Sequence, residues 1–180
     1  MAEFFKRYER GERMSWVAEK TEFYVRGTVS ADRPAIISII EKSENLTDEE
    51  KACAMELFER YLEEVDKDGY IFLTAASADD APVGYVCYGL ASLSMGAYDI
   101  YWILVDPGFH GKGAGSSLLG RAEALIKERG GRIMLAETSG LPSYGKTRSF
   151  YLKCGLHEEA RIRDFFKPGD DKIIYMKNLS

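Results

Sequence analysis

The stretch YWILVDPGFHGKGAGSSLLGRAEALI, from Tyr101 to Ile126, constrains the fold of this chain more than any other. An aromatic and β-branched run stops at Pro107, three glycines fall within the six residues from His110 to Gly115, and an apolar helical stripe begins at once. In that stripe Leu118, Ala122 and Leu125 share a face, with Leu119 and Ile126 flanking it, and Glu128, Arg129, Gly130 and Gly131 supply the stop. RIMLAET follows as another strand. Strand, loop, helix and strand in that order predict two parallel strands joined by a right-handed crossover.

The flanking sequence predicts antiparallel neighbours. YIFLTAAS, VGYVCYGLAS and YDIYWILVDP are strands separated by short turns, the pattern of a meander. At the far end EEARIRDFF and KIIYMKNL, divided at PGDD, read as a final hairpin. Upstream, WVAEKTEFYV from Trp16 to Val25 reads as an early strand, RGTVSAD as a turn, and Pro34 as the first turn of a helix through AIISIIEK. Thr47 with Glu50 forms a capping-box start, and Met55, Phe58, Leu62 and Val65 give the helix behind it one apolar stripe ending near Asp66. A shorter helix is expected around TRSFYLKCG. Residues 1–13 are a charged arm or short helix. No repeat or linker divides the chain, so the expectation is one α+β domain over residues 1–180. Its core spans 31–180 behind an N-terminal extension of residues 1–30, and helices cover both faces of a mixed, mostly antiparallel sheet.

Composition limits the partners. A chain of 180 residues buries enough surface to fold without metal or disulfide. With 24 basic against 29 acidic side chains, a net charge of -5 and no basic run, nucleic acid is an unsuitable partner. Cys53, Cys87 and Cys154 lie far apart, which suits a reducing compartment, and two histidines with no ligand spacing argue against a metal site. No uncharged run has membrane length and the N-terminus lacks a signal-peptide pattern, so a soluble, cytoplasmic protein is expected.

A glycine-rich loop between strand and helix admits two readings. Gly111, Gly113 and Gly115 either relieve crowding in a tight turn or bare the backbone N–H groups that cradle a phosphate at a helix N-terminus. The stretch lacks the GK[ST] ending of a P-loop and the early βαβ setting of a dinucleotide fingerprint, which argues against ATP and NAD. Lys112 would add a point charge near the anion.

ILVDPGFHGKGAGSSLL closely resembles the acyl-coenzyme A binding motif of the GCN5-related N-acetyltransferase (GNAT) superfamily: His110 stands at its Gln/Arg place, Gly113 and Gly115 at its glycine places. Further on, Phe150 and Tyr151 of SFYLKCGL match the family's Phe-Tyr pair, and Gly155 and Leu156 replace its Gly-Phe. The resemblance runs from about Arg33 to Leu179. It implies a GNAT-like sheet with acetyl-CoA as donor. The diphosphate would lie on His110, Gly111, Lys112, Gly113, Ala114, Gly115 and Ser116. A bulge in YWILV would open a wedge against RIMLAET, the pantetheine pairing with backbone from Ile103 through Leu104 to Val105, and an N–H of Leu104 or Val105 facing the thioester oxygen. The resemblance also makes Tyr151 the acid that protonates the departing thiolate, after direct attack by an amine in a ternary complex. A neutral His110 still donates a hydrogen bond but lacks arginine's permanent fork.

An alkylammonium must lose a proton before it attacks. With a pKa of about 10.4 this costs about 4–5 kcal/mol at pH 7, so a base or relay is required. Asp99 and Glu137, acids in otherwise apolar strands, are the candidates; in an unbulged strand Asp99 shares its face with Tyr101 and Ile103. Cys154 reads as a small buried residue and not as a nucleophile. Thr138, Ser139, Tyr144, Lys146 and Arg148 border the site, ordering the loop before the tyrosine helix or touching substrate; Lys146 or Arg148 alternatively approaches the coenzyme's phosphates or stays solvated. Trp102, Phe165 and Phe166 line an acceptor pocket or fill the core. The expected acceptor is the primary amine of a small metabolite, with a protein N-terminus or lysine as the same-fold alternative and a non-catalytic acyl-CoA binding domain as another. A homodimer is compatible with the extension.

Overall fold

The computed structural model describes residues 23–63 and 69–180. Seven strands form one sheet: β1 (Phe23–Gly27), β2 (Tyr70–Ser77), β3 (Pro82–Leu90), β4 (Ala97–Val105), β5 (Ile133–Ser139), β6 (His157–Lys167) and β7 (Asp170–Asn178). Their order across the sheet is β1-β2-β3-β4-β5-β7-β6. Every neighbouring pair is antiparallel except β4 and β5. The exception is the pair joined by the glycine loop and helix α3 (Ala114–Glu128), which supply the crossover that parallel strands need.

Helices lie on both faces. On one, α1 (Arg33–Glu41) and α2 (Asp48–Glu63) bury Ile36, Ile39, Ile40 and Phe58 against Phe72 and Tyr85 of the sheet. The capping box of α2 forms as expected, Glu50 N–H donating to Thr47 Oγ1 and Thr47 N–H to Glu50 Oε2. Of its stripe, Phe58 is buried and Met55 and Leu62 pack around it, while Val65 and the expected end near Asp66 lie outside the described residues. On the other face α3 packs with α4 (Gly145–Lys153). Leu118, Leu119, Ala122 and Ile126 of α3 are fully buried and Leu125 only partly, so Leu119 and Ile126 belong to the centre of the stripe and not to its flank. Among the described residues no helix is long and apolar enough to cross a membrane.

The first strand differs from expectation. It runs from Phe23 to Gly27, so Arg26 and Gly27 are strand residues and not part of the turn; the earlier part of WVAEKTEFYV and the charged arm lie outside the described residues. Charge pairing explains the shift. Arg26 grips the buried Asp32 through two nitrogens at 2.6 and 2.8 Å and Asp80 through its Nε at 2.8 Å, which holds the strand end in place. Thr74 Oγ1 and Val29 N–H also donate to Asp32.

Burial works to raise the Asp32 pKa, but the Arg26 ion pair and the donors from Val29 and Thr74 outweigh it and hold the carboxyl below its usual value. A depressed carboxylate contributes stability that is complete above the unfolded pKa of about 3.9 and lost as pH falls through the native value. Asp32→Ala, which strands the Arg26 charge, is expected to cost about 3–5 kcal/mol at pH 7 in urea unfolding and to flatten the acid limb of the stability curve.

Candidate active site

The β4–β5 ladder is short. It pairs Ala97 with Ile133, Tyr98 with Met134, Asp99 with Leu135 and Ile100 with Ala136, and there it stops. The cause lies on the other side of β4. Cys87 of β3 opposes Trp102 while Tyr88 opposes Ile100, so Tyr101 is an extra residue, a bulge that bends β4 away from β5. The wedge expected in YWILV is therefore present, with its apex at Tyr101.

The bulge also reverses side-chain parity. Tyr98 and Ile100 face α3, and so do Ile103 and Val105, whereas Trp102 and Leu104 pack on the α1–α2 face. Asp99 consequently does not share a face with Ile103; it lies on the α1–α2 side with Tyr101, whose ring meets Tyr70 at 5.0 Å. Backbone directions follow from the β3–β4 ladder. Asp106 N–H donates to Val83 O, and antiparallel bonding pairs alternate, so Leu104 bonds Tyr85 while Ile103 and Val105 direct their N–H and C=O groups into the gap. Of the Leu104 and Val105 N–H groups, only that of Val105 points into the gap; the Leu104 amide is committed to β3.

On the α3 side the gap opens into a cleft of about 760 Å³, within the range of about 300–1,000 Å³ usual for ligand sites. Ile103, Val105 and Phe109 form its apolar floor, the glycine loop and first turn of α3 one wall, and α4 the other. The glycines have different reasons to be glycine. Gly111 and Gly113 adopt φ of +76° and +96°, and a Cβ on either would point into open space, so the loop surface there is bare backbone. Gly115 has ordinary φ, but a Cβ would lie 3.3 Å from the Phe150 ring, so its absence lets α3 close on α4. The N–H groups of Ala114, Gly115 and Ser116 open the helix and lack intrahelical partners. Bare amides, a helix N-terminus and an apolar floor match the diphosphate and pantetheine of an acyl-coenzyme A.

Of the two polar loop side chains, His110 lines the cleft and Lys112 does not. His110 Nε2–H donates to Val105 O at 2.8 Å, so its hydrogen bond braces the loop against the strand end. The Lys112 ammonium sits 4.9 Å over the Phe109 ring and does not line the cleft. Lys146 and Lys153 of α4 line it instead. Lys153 escapes a motif reading, yet 146, 149, 150 and 153 are one helical face.

Tyr151 does not line the cleft, while its neighbour Phe150 does. The tyrosine is 4% exposed and packs on Tyr175 at 5.5 Å between ring centroids. Tyr175 is the β7 partner of Ala136, the last β5 residue paired to β4, so the ring lies at the level where the strands part. Burial pushes its pKa up, which keeps the phenol protonated.

On the α1–α2 side a second mouth of about 180 Å³ is lined by Asp99, Tyr101 and Glu137 among others. The two candidate acids are thus brought together at the gap, across the sheet from Tyr151. Burial, then the Glu137 charge, raises the Asp99 pKa, opposed by Lys172. Glu137 is half-exposed and pairs with Lys172, whose ammonium lies 4.7 Å over the Phe165 ring. Phe165 is thereby linked to Glu137 through Lys172 but does not line this mouth; Phe166 packs edge-on against Phe165, and Trp102 packs into the α1–α2 core.

The loop after β5 is tied down by its own polar residues. Ser139 donates to Asp170 at 2.5 Å, Arg148 donates to the carbonyls of Ser139 and Leu141, and Tyr144 donates to Asn45 O at 2.7 Å. Thr138 is buried. Cys154 is half-buried against Ser116, and burial raises its pKa, the opposite of an activated thiol.

Comparison with known proteins agrees with this geometry. Residues 35–156 match the Acetyltransferase (GNAT) family. An uncharacterised N-acetyltransferase of Methanocaldococcus jannaschii is 28% identical over 112 residues, 60% of this chain and 47% of that protein, so the chain spans about half the length of this relative. A crystal structure of a GNAT-family protein from Desulfovibrio desulfuricans superposes with a TM-score of 0.83 at 36% identity, covering 88% of this chain and 99% of the other. An aminoglycoside 6'-N-acetyltransferase complexed with coenzyme A shares the fold at 14% identity and a TM-score of 0.67, over 87% and 97% of the two chains. With the family match spanning more than half of its length, this chain belongs to the GNAT acetyltransferase family.

Proposed function

We propose that the protein transfers an acetyl group from acetyl-CoA to the primary amine of a small molecule by direct attack. One arrangement carries the reading: where the β4–β5 ladder ends, an amide-walled cleft lies on one face of the sheet and an acid-lined mouth on the other. Donor and acceptor enter from opposite faces and meet at the strand divergence.

The bound donor supplies the activated acyl group; the chain positions it and manages charge and protons. Amides of the glycine loop hold the diphosphate, and the backbone of Ile103 and Val105 pairs with the pantetheine arm. Val105 N–H stabilises the negative charge that develops on the thioester oxygen. Asp99, with Glu137 beside it, takes the proton of the incoming ammonium. Its raised pKa brings it closer to the range of a useful base than an ordinary carboxylate. Tyr151 keeps its proton until the sulfur leaves and then donates it. A mouth of about 180 Å³ has room for an alkylammonium head.

The experiment is a screen of amines, amino acids and peptides with acetyl-CoA, read by release of free thiol and by mass of the product. Acetylation of a small amine is the expected result. Transfer only to peptides would replace the proposed acceptor class, and coenzyme binding without transfer to any of them would favour a binding domain.

A further inference from the structure

The cleft carries more cationic recognition than its loop requires. In a chain of net charge -5, no carboxylate lines it among the described residues, while Lys146 and Lys153 do. Both belong to α4, on the wall facing the glycine loop, and their seven-residue spacing puts them on one helix face with Ser149 and Phe150. Neither makes an ion pair with a described residue. The loop's own lysine, Lys112, rests on Phe109 outside the cleft lining, so the charge available to a ligand comes from α4.

A diphosphate is already provided for by the backbone amides of the loop and the first turn of α3. Coenzyme A bears a third phosphate, a monoester on the ribose, with a charge of about -1.5 to -2 at neutral pH. We infer that Lys146 and Lys153 hold this third phosphate and make the protein select coenzyme A over its 3'-dephospho form. The inference rests on the acyl-CoA reading and adds to it a cofactor specificity located on α4. A lysine pair is suited to the task because two flexible point charges follow a phosphate without fixing its orientation.

Calorimetric titration of the full chain with coenzyme A and with 3'-dephospho-coenzyme A tests it, and needs no acceptor. The wild-type protein is expected to bind coenzyme A about tenfold more tightly, a difference that shrinks as salt rises. In a Lys146→Gln, Lys153→Gln double variant the coenzyme A affinity falls to that of the dephospho form, whose own affinity is unchanged. The Lys146→Arg, Lys153→Arg pair restores the preference. Equal binding of both ligands by the wild type, or a preference that survives in the glutamine variant, overturns the inference and leaves the acetyltransferase reading intact. Binding of neither ligand by folded protein overturns both.

Discussion

Tyr151→Phe is expected to lower kcat by about 10²- to 10⁴-fold, the usual contribution of a positioned general acid. The substitution removes one oxygen and leaves the ring, so the packing on Tyr175 and Phe150 and the approach of α4 to the sheet survive. Coenzyme A affinity and unfolding midpoint should therefore match the wild type. Loss confined to the transition state lowers kcat and kcat/KM together. Product formation measured at saturating acetyl-CoA checks this: an unchanged kcat would mean that the thiolate takes its proton from another source, and a weakened affinity would mean that the hydroxyl serves binding.

Gly113→Val should abolish the cradle. At φ of +96° a β-branched residue is strained, and its side chain would project into the open space before the loop amides. Losing two charge-assisted hydrogen bonds of about 1.5–3 kcal/mol each corresponds to a fall in coenzyme A affinity of roughly 10²- to 10⁴-fold. Gly115→Ala tests a different feature, since its methyl group meets Phe150 at 3.3 Å and strains the closure of α3 on α4 while leaving the loop conformation allowed. Affinity in Gly113→Val equal to wild type, measured by the same titration, would show that the diphosphate lies elsewhere.

Local patterns carried most of this fold into the sequence. The capping box at Thr47 and Glu50, the strands and short turns of β2 to β4, the Pro107 stop, the crossover and the final hairpin are decided by neighbours a few residues apart, and each stands where its pattern puts it. What depended on distant partners was not legible. The extra residue at Tyr101 shows only against β3, yet it separates the face of Asp99 from that of Ile103 and gives the gap-facing amide to Val105 and not to Leu104. His110 lines the cleft, where its motif place puts it, but its hydrogen bond to the Val105 carbonyl five residues back is not legible from the motif. Strand β1 is held by Arg26 against Asp32 and Asp80, and the second of these is contributed by the β2–β3 turn. Of the cationic wall of the cleft, Lys146 is legible in the sequence as a candidate for the coenzyme's phosphates, whereas Lys153 requires α4 to be seen facing the glycine loop.

Acetyl-CoA bound as proposed lies in the cleft between the loop and α4 with its acyl end in the β4–β5 gap. The most direct measurement of this placement is the change in amide exchange on adding acetyl-CoA, read residue by residue. Exchange is expected to slow at Ile103, Val105, Gly113, Ala114, Gly115 and Ser116, with Leu104, already bonded to β3, little altered. Saturable binding that leaves Ile103 and Val105 unprotected, or no binding by protein whose melting curve shows it folded, would contradict this placement.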